Sequence, residues 1–274
     1  MKPDLIFDAG MHRGEDTDFY LRKGFRVVAI EANPDLVRAC QNRFAAELRS
    51  GQLHIIEGAI ADPSVGDTIT FYKNEHSVWG TIDPTWAERN VKAGRGSERI
   101  EVKCVDIKDV FGKFGTPYFI KIDIEGADDL VLGGLAQLAE KPRYISIEIE
   151  KESYDGAKQQ IQLLQDLGYR KFQIIQQDPI SGSTIKTNTV NGESLDYTFE
   201  DEASGPFGGD LPDRWLSAAA ATIELKRISF LYRAFGDSAP FRYNSIGRAM
   251  RLFYKVATGY RGPLPGWHDL HASL

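Results

Sequence analysis

The feature that most constrains the fold is an apolar strand that runs directly into a glycine turn near the start of the chain. Residues 5–9, LIFDA, are followed by Gly10 and Gly14, and a second apolar run over 27–30 ends in Glu31. Gly10 lets the backbone turn sharply off the strand, and Gly14 lets the next helix pack closely. An acidic side chain about 20 residues further on can accept hydrogen bonds from both hydroxyls of a ribose. The chain therefore opens with a βαβ unit that is predicted to bind a nucleoside.

The spacing of the glycines separates two kinds of nucleoside ligand. A dinucleotide site typically has G-x-G-x-x-G, so that bare backbone and a helix N-terminus surround a pyrophosphate. Here the pattern is D-x-G-x-x-x-G from Asp8 to Gly14, and residues 11–13, MHR, occupy the places where bare backbone is needed. Asp8 would repel a pyrophosphate, but it suits the amino group of a methionyl moiety beside a sulfonium. The pattern favours S-adenosylmethionine over NAD.

Strands and helices alternate along the first two thirds of the chain, which is typical of a parallel sheet covered on both faces. Strands are predicted at 4–9, 26–31, 53–57, 68–72, 99–105, 118–124, 144–149 and 170–175. Helices are predicted at 16–23, 34–49, 128–138 and 157–167. This order predicts an α/β fold, in which residues 1–177 form the nucleoside-binding core and residues 178–274 form a C-terminal extension.

The chain resembles the FkbM family of S-adenosylmethionine-dependent methyltransferases, and three motifs carry the resemblance. They are FDAGMHRG at 7–14, AIEANP at 29–34 and FIKIDIEGA at 119–127. The third is similar to the family's K-I-D-x-E-G-A signature and is the most specific. Many members have D-x-G-A-N-x-G in the first motif, where this chain has Met11-His12-Arg13.

The resemblance extends over much of the chain and implies a fold and an activity. The matching motifs span about residues 4–150, and two tail segments, 204–212 and 266–272, look like those of a family subgroup. The implied fold is that of class I methyltransferases, which is Rossmann-like, with a doubly wound, mostly parallel sheet and here a C-terminal helical and loop extension. The implied reaction is O-methylation of a hydroxyl of a sugar, a glycolipid or a polyketide-type small molecule.

The residues predicted to bind S-adenosylmethionine lie at strand ends and in the turns that follow them. They are Asp8, Gly10, His12, Gly14, Thr17, Glu31, Asn33, Ala59, Ile60 and Asp123. Ala59 and Ile60 are included because residues 57–60, EGAI, leave the third strand where an adenine ring would lie. Two other functions stay open on the sequence alone: an NAD(P)-dependent oxidoreductase, and a non-catalytic nucleoside-binding interaction module.

Charged residues interrupt two strands that should otherwise be continuous aliphatics. Lys121, Asp123 and Glu125 alternate with isoleucines, and Glu148 does the same on the next strand. Such breaks in a pattern tend to be functional, although an ion pair from Lys121 to Glu148 across the sheet is the structural alternative.

An aliphatic hydroxyl needs a general base or a metal before it attacks a methyl group. The candidate bases, in order of preference, are Asp123, Glu125 and Glu148, with His76 as a further candidate in the detour after the third strand. The same carboxylates offer oxygen ligands for a divalent ion, which is possible but not required.

The C-terminal extension holds two unusual segments. Residues 178–213 are rich in Gly, Ser, Thr and Asn and are far longer than an ordinary connection, which favours a lid that orders on binding. Residues 266–274 carry Trp267, His268 and His271, and they either fold back over the site or form a frayed terminus.

Composition and charge restrict the partners. The net charge of −6 argues against nucleic acid, and the two cysteines, Cys40 and Cys104, are typical of thiols in a reducing compartment, so a cytoplasmic enzyme is expected. Residues 221–274 nevertheless hold eight Lys or Arg against three acids, interleaved with aromatics. This surface could contact an anionic or lipid-linked acceptor or a membrane face. Alternatively, its charges lie on solvated helix faces whose aromatics pack on the core.

Overall fold

The computed structural model describes residues 1–74, 80–92, 96–124, 126–149, 153–236, 245–259, 264 and 266–274, with backbone only over 89–92. The chain divides into two units that alternate along the sequence. Unit 1 comprises Met1–Ile147 and Thr184–Tyr197, and unit 2 comprises Glu148–Ser183 and Thr198–Leu274.

Strands and helices are numbered in chain order. The strands are β1 Lys2–Ala9, β2 Arg26–Glu31, β3 Leu53–Glu57, β4 Ala59–Ile60, β5 Thr68–Asn74, β6 Ser97–Val105, β7 Pro117–Ile122, β8 Tyr144–Glu148, β9 Lys171–Gln176, β10 Thr184–Asn188, β11 Ser194–Thr198 and β12 His268–Ser273. The helices are α1 Glu15–Arg22, α2 Pro34–Arg43, α3 Ala45–Ser50, α4 Pro84–Lys92, α5 Ile107–Phe114, α6 Asp128–Ala136, α7 Tyr154–Asp166, α8 Ala218–Phe235 and α9 Ser245–Thr258.

A parallel sheet with the strand order β3-β2-β1-β7-β8 lies at the centre of unit 1. Its inner strands are runs of buried apolar side chains, such as Ile6 and Phe7 on β1 and Ile120 on β7. Strands covered on both faces require such runs. Phe7 also stacks on Phe111 of α5, with ring centroids 5.5 Å apart. The predicted α/β fold with a mostly parallel sheet is confirmed.

Two predictions in unit 1 that concern the site and its surroundings are wrong. β7 ends at Ile122, so Asp123 follows the strand instead of lying on it. The single helix predicted over 34–49 is broken at Phe44, which has φ −108° and ψ 31°. The Phe44 ring packs against the glycine turn, because a Cβ built on Gly14 would lie 2.4 Å from it. The break between α2 and α3 thus lies at a residue whose side chain contacts the glycine turn.

The detour after β3 forms a small separate sheet. β5 pairs antiparallel with β6 over the whole length of β5, and β4 pairs in parallel with the last two residues of β6. Ala59, Phe71 and Val102 form the buried cluster that holds these strands together. The predicted strands at 68–72 and 99–105 are therefore present, and each is longer by about two residues.

The long loop predicted over 178–213 contains a β-hairpin. Strands β10 and β11 pair with each other, and the hairpin is attached to α1 within unit 1. Tyr197 donates a hydrogen bond to Asp18 Oδ2 at 2.9 Å, and Lys23 Nζ donates to Thr187 Oγ1 at 2.9 Å. Composition alone hides this hairpin because its side chains are mostly polar and exposed.

Unit 2 contains a strand formed by the end of the chain. β12 pairs antiparallel with β9, and all six of its residues are buried. The alternative of a frayed terminus is therefore wrong, because residues 268–273 form part of a sheet. Helices α7 and α8 pack against each other in the same unit. Among the described residues, no helix has both the length and the apolar character needed to cross a membrane.

Candidate active site

The centre of the candidate site lies at the carboxyl ends of β1 and β7, because the strand order of the sheet reverses between them. Open α/β sheets bind ligands at such a point, outside the carboxyl ends of the strands. The Asp123 N–H donates to the Ala9 carbonyl at 2.9 Å, which brings the residue after β7 against the end of β1. Gly10 has φ +91°, and a Cβ there would lie 1.9 Å from the Asp123 carbonyl oxygen. Glycine is therefore required at position 10.

Glu31, at the end of β2, is held by two backbone groups. Its Oε2 accepts from the His12 N–H and its Oε1 from the Asn33 N–H, both at 2.8 Å. Burial raises the pKa of Glu31, and these two hydrogen bonds oppose that shift. Each carboxylate oxygen has a second lone pair. The carboxylate is thus fixed in orientation and can still accept from a pair of ribose hydroxyls.

The turn between β1 and α1 is built around His12. His12 has φ +54°, an uncommon value for a residue with a side chain, and this conformation is the one in which its N–H meets Glu31. Its Nδ1 lies 3.1 Å from Glu15 Oε1. Burial acts to raise the pKa of Glu15, but the hydrogen bond and charge of His12 outweigh burial and lower it. The turn is therefore stabilised by polar contacts where a dinucleotide site has only glycines.

A buried lysine organises the charges next to this turn. The Lys121 ammonium lies 3.0 Å from Asp16 Oδ2 and 3.2 Å from Asp123 Oδ2. Burial acts to lower the pKa of Lys121, but the charges of Asp16, Asp123 and Asp8 outweigh it and raise the pKa well above its usual value. Lys121 therefore stays charged and forms its ion pairs with Asp16 and Asp123.

Asp8 is the most deeply buried of these carboxylates. Thr17 Oγ1 donates to its Oδ2 at 2.6 Å, whereas its Oδ1 has no hydrogen-bond partner among the residues that the structure describes. Burial raises the pKa of Asp8 to about 7. Asp8, Asp16 and Asp123 surround the single ammonium of Lys121, so the cluster carries excess negative charge. An orphaned buried oxygen in such a cluster fits a cationic ligand.

The polar groups of the site match the groups of S-adenosylmethionine. The ligand has a ribose with two adjacent hydroxyls, a sulfonium and an amino group. Glu31 offers two oriented acceptor oxygens for the first, and Asp8 with its neighbours offers negative charge for the other two. The donor set therefore fits the cofactor.

The residues predicted to contact adenine, Ala59 and Ile60, form β4, which begins close to the end of β2. The Gly58 N–H donates to the Glu31 carbonyl at 2.9 Å, which brings the start of β4 to the end of β2. The Ala59 side chain, however, belongs to the buried cluster with Phe71 and Val102. A cavity of about 710 Å³ lies nearby, between β3, β6 and α5, with Pro34, Glu57 and Asp106 in its wall. This volume is in the range of ligand pockets.

The other three candidate bases are not part of the cluster around Lys121 as far as the structure describes them. Glu148 is half-buried at the start of unit 2, where its carbonyl accepts from Gln160 at 3.0 Å. Glu125 and His76 lie outside the described residues. Asp16 is a residue that the sequence reasoning missed, although its place in the first turn after a glycine loop was a usable signal, since acids are favoured at helix N-termini.

Comparison with solved structures finds distant similarity to several methyltransferases. An FkbM methyltransferase from Methylobacillus flagellatus has 19% identity and a TM-score of 0.41, and the alignment covers 72% of this chain and 44% of that one. A precorrin-6Y C5,15-methyltransferase from Geobacter metallireducens has 9% identity and a TM-score of 0.37, over 72% and 77%. The fibrillarin of Aeropyrum pernix, solved with S-adenosylmethionine bound, has 13% identity and a TM-score of 0.36, over 65% and 63%.

These TM-scores are below 0.5, and the identities are too low to assign a function. No curated protein matches the chain. The family model described as the Methyltransferase FkbM domain matches residues 8–171, which is more than half of the 274 residues. The chain therefore belongs to the FkbM methyltransferase family, and it is an S-adenosylmethionine-dependent methyltransferase.

Proposed function

We propose that the enzyme transfers a methyl group to a hydroxyl oxygen of a sugar, glycolipid or polyketide-type small molecule. The observation that carries the proposal is the position of Asp123 at the carboxyl end of β7. Its side chain is 29% exposed, whereas that of Asp16 is 4% exposed and Asp8 is fully buried. Of the three carboxylates around Lys121, Asp123 thus has the most exposed side chain, which suits contact with an acceptor.

The chain's own groups have separate roles in holding the donor. Bound S-adenosylmethionine supplies a methyl group on a sulfonium, which is open to in-line displacement by a nucleophile. Glu31 receives the ribose hydroxyls, and Asp8, oriented by Thr17, accepts from the amino group. Asp8 binds best when it is ionised, and a nearby cation favours that form. These contacts align the donor, and alignment is the main requirement of the reaction.

Asp123 acts as the general base for the acceptor. An aliphatic hydroxyl loses its proton as its oxygen forms the new bond to carbon, and the Asp123 carboxylate takes that proton while the carbon–sulfur bond breaks. Lys121 holds the Asp123 carboxylate in place through their ion pair. A divalent ion is not part of this proposal, because the Asp123 carboxylate can act as the base without one. The predicted metal therefore remains a prediction.

The test separates donor binding from turnover. Asp123→Asn should bind S-adenosylmethionine within a few-fold of the unmodified enzyme in calorimetric titration. Its kcat should fall by about a hundredfold or more, the usual contribution of a positioned base. The matched control is Asp129→Asn, which changes an exposed carboxylate nearby in the sequence and should leave kcat unchanged.

The acceptors to test are monosaccharides, glycolipids and macrolide-type polyketides, incubated with donor carrying a labelled methyl group. Formation of a methoxy group, identified by NMR, is the expected result. Two outcomes contradict the proposal. One is transfer to nitrogen or carbon instead of oxygen, and the other is full turnover by Asp123→Asn.

A further inference from the structure

Helix α9 in unit 2 presents an apolar face to solvent. At 100° per residue, eight of its positions share one arc of about 160°. In order around the helix they are Leu252, Ser245, Val256, Ala249, Phe253, Ile246, Ala257 and Met250, and all eight are exposed. Seven of the eight are apolar, and Phe253 and Val256 are each 76% exposed. A surface helix normally has the opposite arrangement, with its apolar stripe inside.

The orientation of α9 is set by contacts on its other face. Gly247 is buried there, and the Tyr254 hydroxyl accepts a hydrogen bond from Arg227 of α8 at 3.0 Å. The Arg251 guanidinium lies 5.6 Å from the centre of the Phe235 ring, which is also on α8. The side of α9 that packs inside unit 2 is therefore formed by polar side chains and one glycine, and the exposure of the apolar side follows from specific contacts.

The helix that supports α9 also exposes large apolar side chains. Ile223 and Phe230 of α8 are 72% and 69% exposed. They are seven residues apart, so they lie on one face of that helix. Exposed apolar groups in this number mark an interaction surface, since single ones need no explanation but groups of them do.

The charge of the two helices indicates what covers this surface. Over the described residues of α8 and α9 the basic side chains are Lys226, Arg227, Arg233, Arg248, Arg251 and Lys255. The acid among these residues is Glu224, which is already paired with Arg227. Packing on the same face of a second copy would place the same positive charges opposite each other. An anionic surface would instead be complementary to them.

We infer that α9 lies in the surface of an anionic lipid bilayer, with its apolar face in the acyl boundary and its basic residues among the headgroups. Amphipathic helices rich in Lys and Arg bind membranes in this way, through buried apolar area and attraction to anionic lipids. Arg248 and Lys255 border the apolar arc on the side of Leu252, which suits contact with headgroups. The inference concerns membrane binding and is independent of the acceptor proposed above.

The experiment is flotation of the full chain with vesicles. Phosphatidylcholine vesicles containing phosphatidylserine should bind the protein, vesicles of phosphatidylcholine alone should bind it weakly, and added salt should reduce binding. The double variant Phe253→Ser, Val256→Ser should bind about tenfold more weakly or worse. Arg248→Gln should lose about fivefold, which corresponds to one basic residue near an anionic surface.

The matched control is the double variant Val65→Ser, Val190→Ser, which removes two exposed valines from unit 1 and should bind like the unmodified protein. Sedimentation without lipid should show a monomer. The inference is overturned if vesicles that contain phosphatidylserine do not bind the protein, or if the Phe253/Val256 variant binds them as well as the control variant does. A dimer that the same variant dissociates would also overturn it, because a second copy would then cover the face.

Discussion

Two regions of this enzyme invert the usual distribution of side chains in opposite ways. At the ends of β1 and β7, Asp8 and Lys121 are buried together with Asp16. On α9, Phe253 and Val256 are exposed while Tyr254 is half-buried. Charged residues are rarely buried, and large apolar patches are rarely exposed, unless something else compensates.

The difference between the two regions is where the compensation comes from. Lys121 compensates two carboxylates inside the fold, and the cluster is still short of positive charge, which a cationic ligand supplies. The apolar face of α9 has no such compensation within the helix pair and needs an external surface. Substitutions in the first region should therefore change stability strongly, and substitutions in the second should change binding but not stability.

The largest effect is expected from Lys121→Met. Removing the ammonium leaves buried carboxylates uncompensated, and breaking a buried ion pair in this way costs about 3–5 kcal/mol of unfolding free energy. Urea denaturation at neutral pH measures the loss, which should shrink at low pH, where carboxylates take up protons. Lys186→Met, at a highly exposed site, is the control and should have little effect. If both substitutions lowered the unfolding free energy by a similar amount, the Lys121 ammonium would not be compensating the buried carboxylates.

An intermediate effect is expected from Asp8→Asn, which should raise the stability of the protein but weaken its binding of S-adenosylmethionine. The pKa of Asp8 is about 7 in the folded protein and 3.8 ordinarily. The folded state thus holds this proton more tightly, so the stabilising contribution of Asp8 is present below about pH 4 and is lost as the pH rises through about 7. The variant removes this dependence and should be more stable than the unmodified protein above pH 7, because a neutral amide avoids the cost of burying an ionised carboxylate.

Binding of S-adenosylmethionine should respond in the other direction. In the unmodified protein the affinity should increase between about pH 6 and pH 7.5, as Asp8 ionises, and Asp8→Asn should be weaker and nearly independent of pH. Calorimetric titration across this interval measures both. A variant that binds the donor as tightly as the unmodified protein would show that the orphaned oxygen of Asp8 does not contact the ligand.

The smallest effect on stability is expected from Phe253→Ser on α9. An exposed side chain contributes little to folding, so the unfolding free energy should change by no more than about 0.5 kcal/mol. Phe235→Ala, at a buried phenylalanine of α8, is the contrasting substitution and should cost about 3–5 kcal/mol. If Phe253→Ser were as costly as Phe235→Ala, its side chain would be buried in solution and the exposed face would not exist.

Local patterns were enough to predict much of unit 1. The strands at 26–31 and 53–57 have the predicted bounds, because each is a short apolar run between turn residues. The motif of residues 8–14 predicted the glycine turn, and the structure places Glu31 within hydrogen-bonding distance of it. These features depend on neighbours in the sequence, so the sequence carries the information directly.

Only the tertiary structure decided features that depend on distant partners. The hairpin at 184–198 is held by α1, and β12 exists because β9 offers an edge to pair with. One of the two ion pairs of Lys121 is formed with Asp16, which is more than 100 residues away in the sequence. The sequence of α9 shows that one face of the helix is apolar and the other polar. It does not show which face packs against the rest of unit 2, because that depends on the neighbouring helix. In α9 the contacts of Tyr254 and Arg251 with α8 place the polar face inside.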